Sequence, residues 1–192
     1  MALPSRLQKS LTLSEINFIA ENEPIKILPR YTMEGFQLIG TRLPPLKAMK
    51  REEIPLWLLL ILKSQDRCNI ITPDWLTVKN LHKAYEEEVE FPTKFSNLPW
   101  HWIEISKMLL DKASDDLVDP PHQLRSLIQD LLEVRLTKTR QGIKELNVSY
   151  IQLDNLSMTE ISTLKPFCIQ VMDQLVALHE AGTDGDEGQA QV

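Results

Sequence analysis

The chain has 192 residues, of which 43% are apolar and 25% charged, with a formal net charge of -6. That length suits one domain or two modest ones, and the balance excludes wholesale disorder. The negative charge argues against a protein whose main task is coating nucleic acid, and six glycines against twelve prolines disfavour a glycine-rich nucleotide cradle. The segment Met1 to Arg6 does not read as a signal peptide. The first helix signal is Leu11 to Ile16, where Thr12 and Glu15 have capping-box spacing and Leu11 and Ile16 form a hydrophobic staple. Pro24 stops this helix. Two strand-like runs follow, Ile25 to Ile27 and Phe36 to Ile39, with Arg30 to Gly35 as a hairpin connection between them. Thr41 to Glu53 reads as a loop containing Pro44-Pro45 and the basic residues Arg42, Lys47, Lys50 and Arg51. Pro55 opens a helix over the apolar run Leu56 to Leu62, which Lys63 closes. That run is far shorter than the roughly 20 residues of a membrane span, so a buried helix is expected and no membrane contact. Cys68 to Ile71 offers a third strand.

From Thr72 onward the signals are helical only. Thr72-Pro73 predicts a cap and a helix to about Glu90, with Trp75, Val78, His82, Tyr85 and Val89 on one side. Pro99 opens a second helix to Ala113. Asp119-Pro120 opens a long third one, in which Leu124, Leu127, Ile128, Leu131 and Leu132 keep helical spacing and no proline intervenes before Leu146. Ser157 and Glu160 form a second capping box, stapled by Leu156 and Ile161. Ile161, Leu164, Cys168, Val171, Leu175 and Leu178 then recur at heptad spacing, with Pro166 expected to kink the first turns. Gly182 to Val192 reads as a disordered acidic tail. The fold class is therefore mainly α: a helical bundle domain (72–181) preceded by a small strand-containing α+β domain (1–71). Residues 1–71 carry a net +3, residues 72–180 a net -6 and the tail -3.

Residues with chemistry are few. The four histidines lack metal-ligand spacing, and Cys68 and Cys168 read as small buried hydrophobes. Asp111, Asp115, Asp116 and Asp119 cluster between two helices, where caps are the simplest use and Asp119 precedes the next helix directly. Glu86, Glu87, Glu88 and Glu90 read as a solvated helix end. No catalytic residue, metal or cofactor is expected. The loop with Arg42, Lys47, Lys50 and Arg51 is either solvated or a contact with protein or nucleic acid. The helices carry more apolar face than so small a chain needs. Leu131, Val134, Leu136, Ile143 and Leu146 on the long helix, and Leu164, Val171 and Leu175 on the last one, are candidates to meet another chain. A fully buried central helix is the alternative for the first set.

Several segments together resemble a known family. Phe18 to Ile27, Ile54 to Leu58, Arg67-Cys68, Pro73 to Leu76 and Leu153 to Ile161 occur in the order found in the second Psf-type subunit family of the GINS complex. The resemblance covers roughly Leu11 to Leu178. It implies a non-catalytic, nuclear subunit of a four-subunit replication factor, with three sister subunits as partners. It also implies binding to the MCM helicase ring and its RecJ-like partner protein. It implies a small strand-containing domain placed before a larger helical one. The alternative function is a DNA-binding module using the basic N-terminal part.

Overall fold

The computed structural model describes residues 9–39, 42–144 and 153–187. In chain order the elements are α1 (Leu13–Ala20), β1 (Pro24–Pro29), β2 (Phe36–Gln37), β3 (Arg42–Leu43), β4 (Glu52–Pro55), α2 (Leu56–Ser64), β5 (Cys68–Ile70), α3 (Val78–Glu90), α4 (Trp102–Lys112), α5 (Pro121–Lys144) and α6 (Met158–Glu187). The chain is mainly helical with a small sheet, as its apolar spacing predicts.

Strand β1 is the centre of a three-stranded antiparallel sheet in the order β4-β1-β5. Its alternation puts Ile25 and Ile27 inward and Lys26 outward, as a half-buried strand requires. The expected hairpin between β1 and β2 does not form: β2 pairs with β3, and β1 pairs with β4. Pairing keeps one register from Pro24↔Pro55 through the bridge Met33↔Leu46 to Gln37↔Arg42. Of the segment expected as a loop, 41–53, the described residues 42–53 are thus the returning arm of a long ribbon. The prolines Pro44-Pro45, which break β alternation, disguise it in the sequence. Gly35 permits the close approach of the two arms, since a Cβ there would lie 2.7 Å from the Leu43 carbonyl oxygen.

Helix α2 is nearly encased, with Leu56, Leu58, Leu59, Leu60 and Leu62 all buried. Proline precedes it and no side chain caps it. Its first amides instead donate to carbonyls in the turn between α1 and β1, Leu56 N to Glu23 O and Trp57 N to Glu21 O, both at 2.9 Å. These bonds satisfy donors that a helix N-terminus leaves unpaired. One continuous core runs from Ile25 on β1 through α2 to Leu131 on α5. The strand-containing part and the helical part therefore share a single apolar interior.

Helix α3 starts at Val78, later than the Thr72-Pro73 signal. Thr77 caps it by accepting from Asn80 N at 3.4 Å. Its inner face is Leu81, Ala84 and Glu88, while His82 and Val89 are exposed. This face lies one residue before the expected His82, Tyr85 and Val89, because Leu81 and the small Ala84 pack inward together with the polar Glu88. Helix α4 buries Trp102, Ile103, Ile105, Leu109 and Leu110, and Trp100 just before it is 48% exposed. Helix α5 packs along α3 with Leu124, Ile128 and Leu131 inward. Helix α6 stays helical across Pro166 and on to Glu187, beyond Gly182 where the tail was expected to begin; residues 188–192 lie outside the described residues. No helix among the described residues is long and apolar enough to cross a membrane.

Candidate assembly site

The most elaborate chemistry in the chain surrounds Arg135, a residue the sequence does not single out. Its guanidinium has no solvent exposure. It donates to Glu88 Oε1 at 2.6 Å, to Glu160 Oε1 at 2.8 Å and Oε2 at 3.0 Å, and to the Asn155 carbonyl at 2.6 Å. Its plane lies 4.9 Å from the centroid of Phe95 and 5.9 Å from that of Trp102. A buried arginine is tolerated only when its donors are met and its charge is balanced. Here two cations, Arg135 and Lys138, face two carboxylates, Glu88 and Glu160.

Glu88 accepts from Arg135, from Lys138 and from both the amide and hydroxyl of Ser96, each at 2.8 Å for the latter two. Burial alone would raise its pKa. The Lys138 ammonium, the Ser96 donors and the Arg135 charge together outweigh burial and hold it below the usual carboxylate value. The expected solvated acidic run therefore contains one buried member. The signal was available: Glu88 stands seven residues after Leu81 on the helix face that turns inward.

The Arg135 cluster fixes the passage into α6. Asn155 adopts a left-handed backbone with φ of 61°, which asparagine tolerates better than most residues. Its side chain donates to the Phe95 carbonyl at 3.1 Å while its own carbonyl accepts from Arg135. Ser157 and Glu160 then close a reciprocal cap, Glu160 N to Ser157 Oγ at 3.3 Å and Ser157 N to Glu160 Oε2 at 2.7 Å. Glu160 thus caps its own helix and holds Arg135 at once. Met158 N bonds the Trp100 carbonyl at 3.1 Å, and Thr159 donates to Glu104 on α4. Ser162 and Lys165 donate to the carbonyls of Leu11 and Lys9 ahead of α1. There Thr12 and Glu15 form their own reciprocal cap, with Thr12 N to Glu15 Oε2 at 2.7 Å.

Beyond this anchored start, α6 behaves differently from every other helix. None of its described side chains is buried. Leu164, Val171 and Leu175 are half-buried, Phe167 is 48% exposed and Leu178 is 71% exposed. On α5, Val134 and Ile143 are half-buried and Leu136 is 47% exposed, while Leu146 lies outside the described residues. Leu131 corrects the expectation for an outward stripe: it is fully buried in the chain's own core, in line with Leu124 and Ile128.

A second polar joint ties the strand-containing part to the helices. Lys63, on buried α2, bonds Asp115 at 2.7 Å and Asp116 at 2.9 Å. Burial would lower the pKa of Lys63, and the two aspartates overcome this and raise it. Asp116 also accepts from Ile70 N at 2.7 Å. Asp119 accepts from Val78 N at 2.7 Å, so it caps α3, not the helix that follows it in sequence. The basic residues Arg42, Lys47, Lys50 and Arg51 are exposed on the ribbon, and Lys50 pairs with Glu52 at 3.0 Å. Among the described residues no three His, Cys, Asp or Glu side chains gather as a metal-ligand set.

Comparison with known proteins gives this architecture its family. Residues 12–71 match the PSF2 N-terminal domain, and residues 75–178 match the GINS complex protein helical bundle domain. The chain belongs to the PSF2 family. It is similar to the DNA replication complex GINS protein PSF2 of Debaryomyces hansenii, at 59% identity over 98% of this chain and 92% of that protein. It is 44% identical to the Saccharomyces cerevisiae PSF2 protein, over 97% of this chain and 98% of that one. The Schizosaccharomyces pombe protein is 37% identical, over 91% and 94% respectively. Within this PSF2-family chain, the two matched models meet between residues 71 and 75, where the strand signals end.

Proposed function

We propose that this chain works as the PSF2-type subunit of a GINS complex in DNA replication, without catalysis of its own. Its partners are three sister subunits, and the assembled complex binds the MCM ring and its RecJ-like partner protein in the nucleus. The two family models, lying in this order along nearly the whole chain, support the reading. So do the curated relatives, each named as a GINS protein of DNA replication. The strand-containing part (1–71) and the helical part (72–181) are joined through one apolar core among the described residues.

The observation that carries the assembly role is α6. A helix with an apolar seam and no buried side chain among those described leaves apolar surface that its own chain does not cover. Leu164, Val171 and Leu175, with Val134, Leu136 and Ile143 on α5, are the proposed contacts with sister subunits. The DNA-binding alternative has less support: the relatives' names place them in a protein complex, and the chain's net charge of -6 opposes polyphosphate. The test is co-purification of the tagged full chain with identification of stoichiometric partners. Leu164→Ser with Val171→Ser and Leu175→Ser should abolish recovery of sister subunits while leaving the fold intact. Unchanged recovery overturns the assignment of this face.

A further inference from the structure

The ribbon between β1 and β4 has no role in the core joint or in the α6 face. Its inner positions, Leu43 and Leu46, are buried and hold it against the core. Its outer positions are unusual. Ile39, at the end of the described outgoing arm, is fully exposed, at 107%, and Met49 and Tyr31 nearer β1 are 74% and 63% exposed. Met49 stands in a left-handed backbone with φ of 59°, held by a bond from its amide to the Pro29 carbonyl at 2.9 Å. That conformation is unfavourable for a side chain of this kind, and here it presents an apolar side chain to solvent.

Charge follows the same ribbon. Residues 30–51 contain five basic residues against one acid, Glu34, in a chain whose net charge is -6. Arg42, Lys47 and Arg51 are exposed and make no ion pair among the described residues. A solvated loop has no need of exposed isoleucine, methionine and tyrosine, and contacts to a phosphate backbone make no use of exposed aliphatic side chains such as Ile39 and Met49. Exposed apolar side chains and unpaired cations strung along one arm match an extended partner segment of the opposite sign that also carries apolar residues.

We propose that this ribbon is a docking arm for an acidic protein segment interleaved with apolar or aromatic residues. Ile39 and Met49 take the apolar side chains, and Arg42 and Lys47 take the carboxylates. The inference goes beyond the subunit assembly proposed above and uses a different surface.

The test uses the full chain and a random glutamate–tyrosine copolymer as probe, with polyglutamate and a duplex DNA oligonucleotide as comparisons. The copolymer should bind more tightly than either, and the binding should weaken as salt rises. Arg42→Glu with Lys47→Glu should weaken it by roughly tenfold or more, and Ile39→Ser should weaken it without changing its salt dependence. Lys83→Glu, on the exposed side of α3, should leave it unchanged. All these positions are exposed, so the circular dichroism of each variant should match the parent. Tighter binding of DNA than of copolymer overturns the proposal. So does equal binding of polyglutamate and copolymer, or an unaffected Arg42→Glu/Lys47→Glu variant.

Discussion

Arg135 concentrates the argument at the scale of single residues. Replacing it with alanine leaves buried Glu88 with Lys138 as its one cation and removes the cation that faces Glu160. Breaking a buried ion pair from one side costs about 3–5 kcal/mol. Arg135→Ala should therefore lower the denaturation midpoint sharply, as urea unfolding measures. Glu88 adds a pH dependence of known sign. Its pKa is depressed in the folded state, so its contribution is present above the unfolded glutamate value of about 4.3 and is lost as pH falls through the folded value. Unfolding free energies at neutral pH and near pH 4 should differ less for Glu88→Gln than for the parent. Cys68 gives a third test at this scale. Burial, with Asp116 nearby, pushes its thiol up to about 11, and Sγ lies 3.9 Å from the Leu59 carbonyl. Iodoacetamide at neutral pH should leave Cys68 unmodified in the folded chain and label it once denaturant unfolds the protein.

Among the elements, α6 depends on how its first turn is set. Ser157 caps it, and Glu160 links the cap to Arg135. Loss of such a cap costs about 1 kcal/mol. Ser157→Ala should lower thermal stability by a few degrees and reduce the yield of assembled complex, whereas a variant with unchanged melting and unchanged assembly would contradict the role. The elements also show what could be read beforehand. The capping boxes at Thr12 and Ser157 rest on local spacing, so they are legible in the sequence. The buried character of α2 follows from an unbroken apolar run. The β1–β4 ribbon was not legible, because register over a long connection is set by tertiary packing of Leu43 and Leu46, not by the strand signals at its ends. The Arg135 cluster was hidden for a related reason: its members come from α3, α5 and the α6 entry, and nothing in their local sequence brings them together. Asp119 shows the same limit, since it caps a helix far away in sequence while sitting beside another.

For the whole molecule, one core unites the strand-containing and helical parts, and two buried polar joints hold the parts and the last helix in place. The apolar core is closed, whereas α6 buries none of its described side chains. This contrast explains why an ordinary apolar fraction of 43% supplies both a closed core and an apolar seam left over. The excess is legible in the sequence, but its location is not wholly so: Leu131 belongs to the interior, and the α6 positions remain at the surface. The central claim is that this seam is covered by sister chains. Native mass measurement of the tagged chain recovered from its own cells, beside the Leu164→Ser/Val171→Ser/Leu175→Ser variant, tests it most directly. The account predicts a stoichiometric assembly of four different chains for the parent and loss of the sister chains for the variant. A parent chain recovered as a lone compact monomer, or a variant that keeps all its partners, would contradict it.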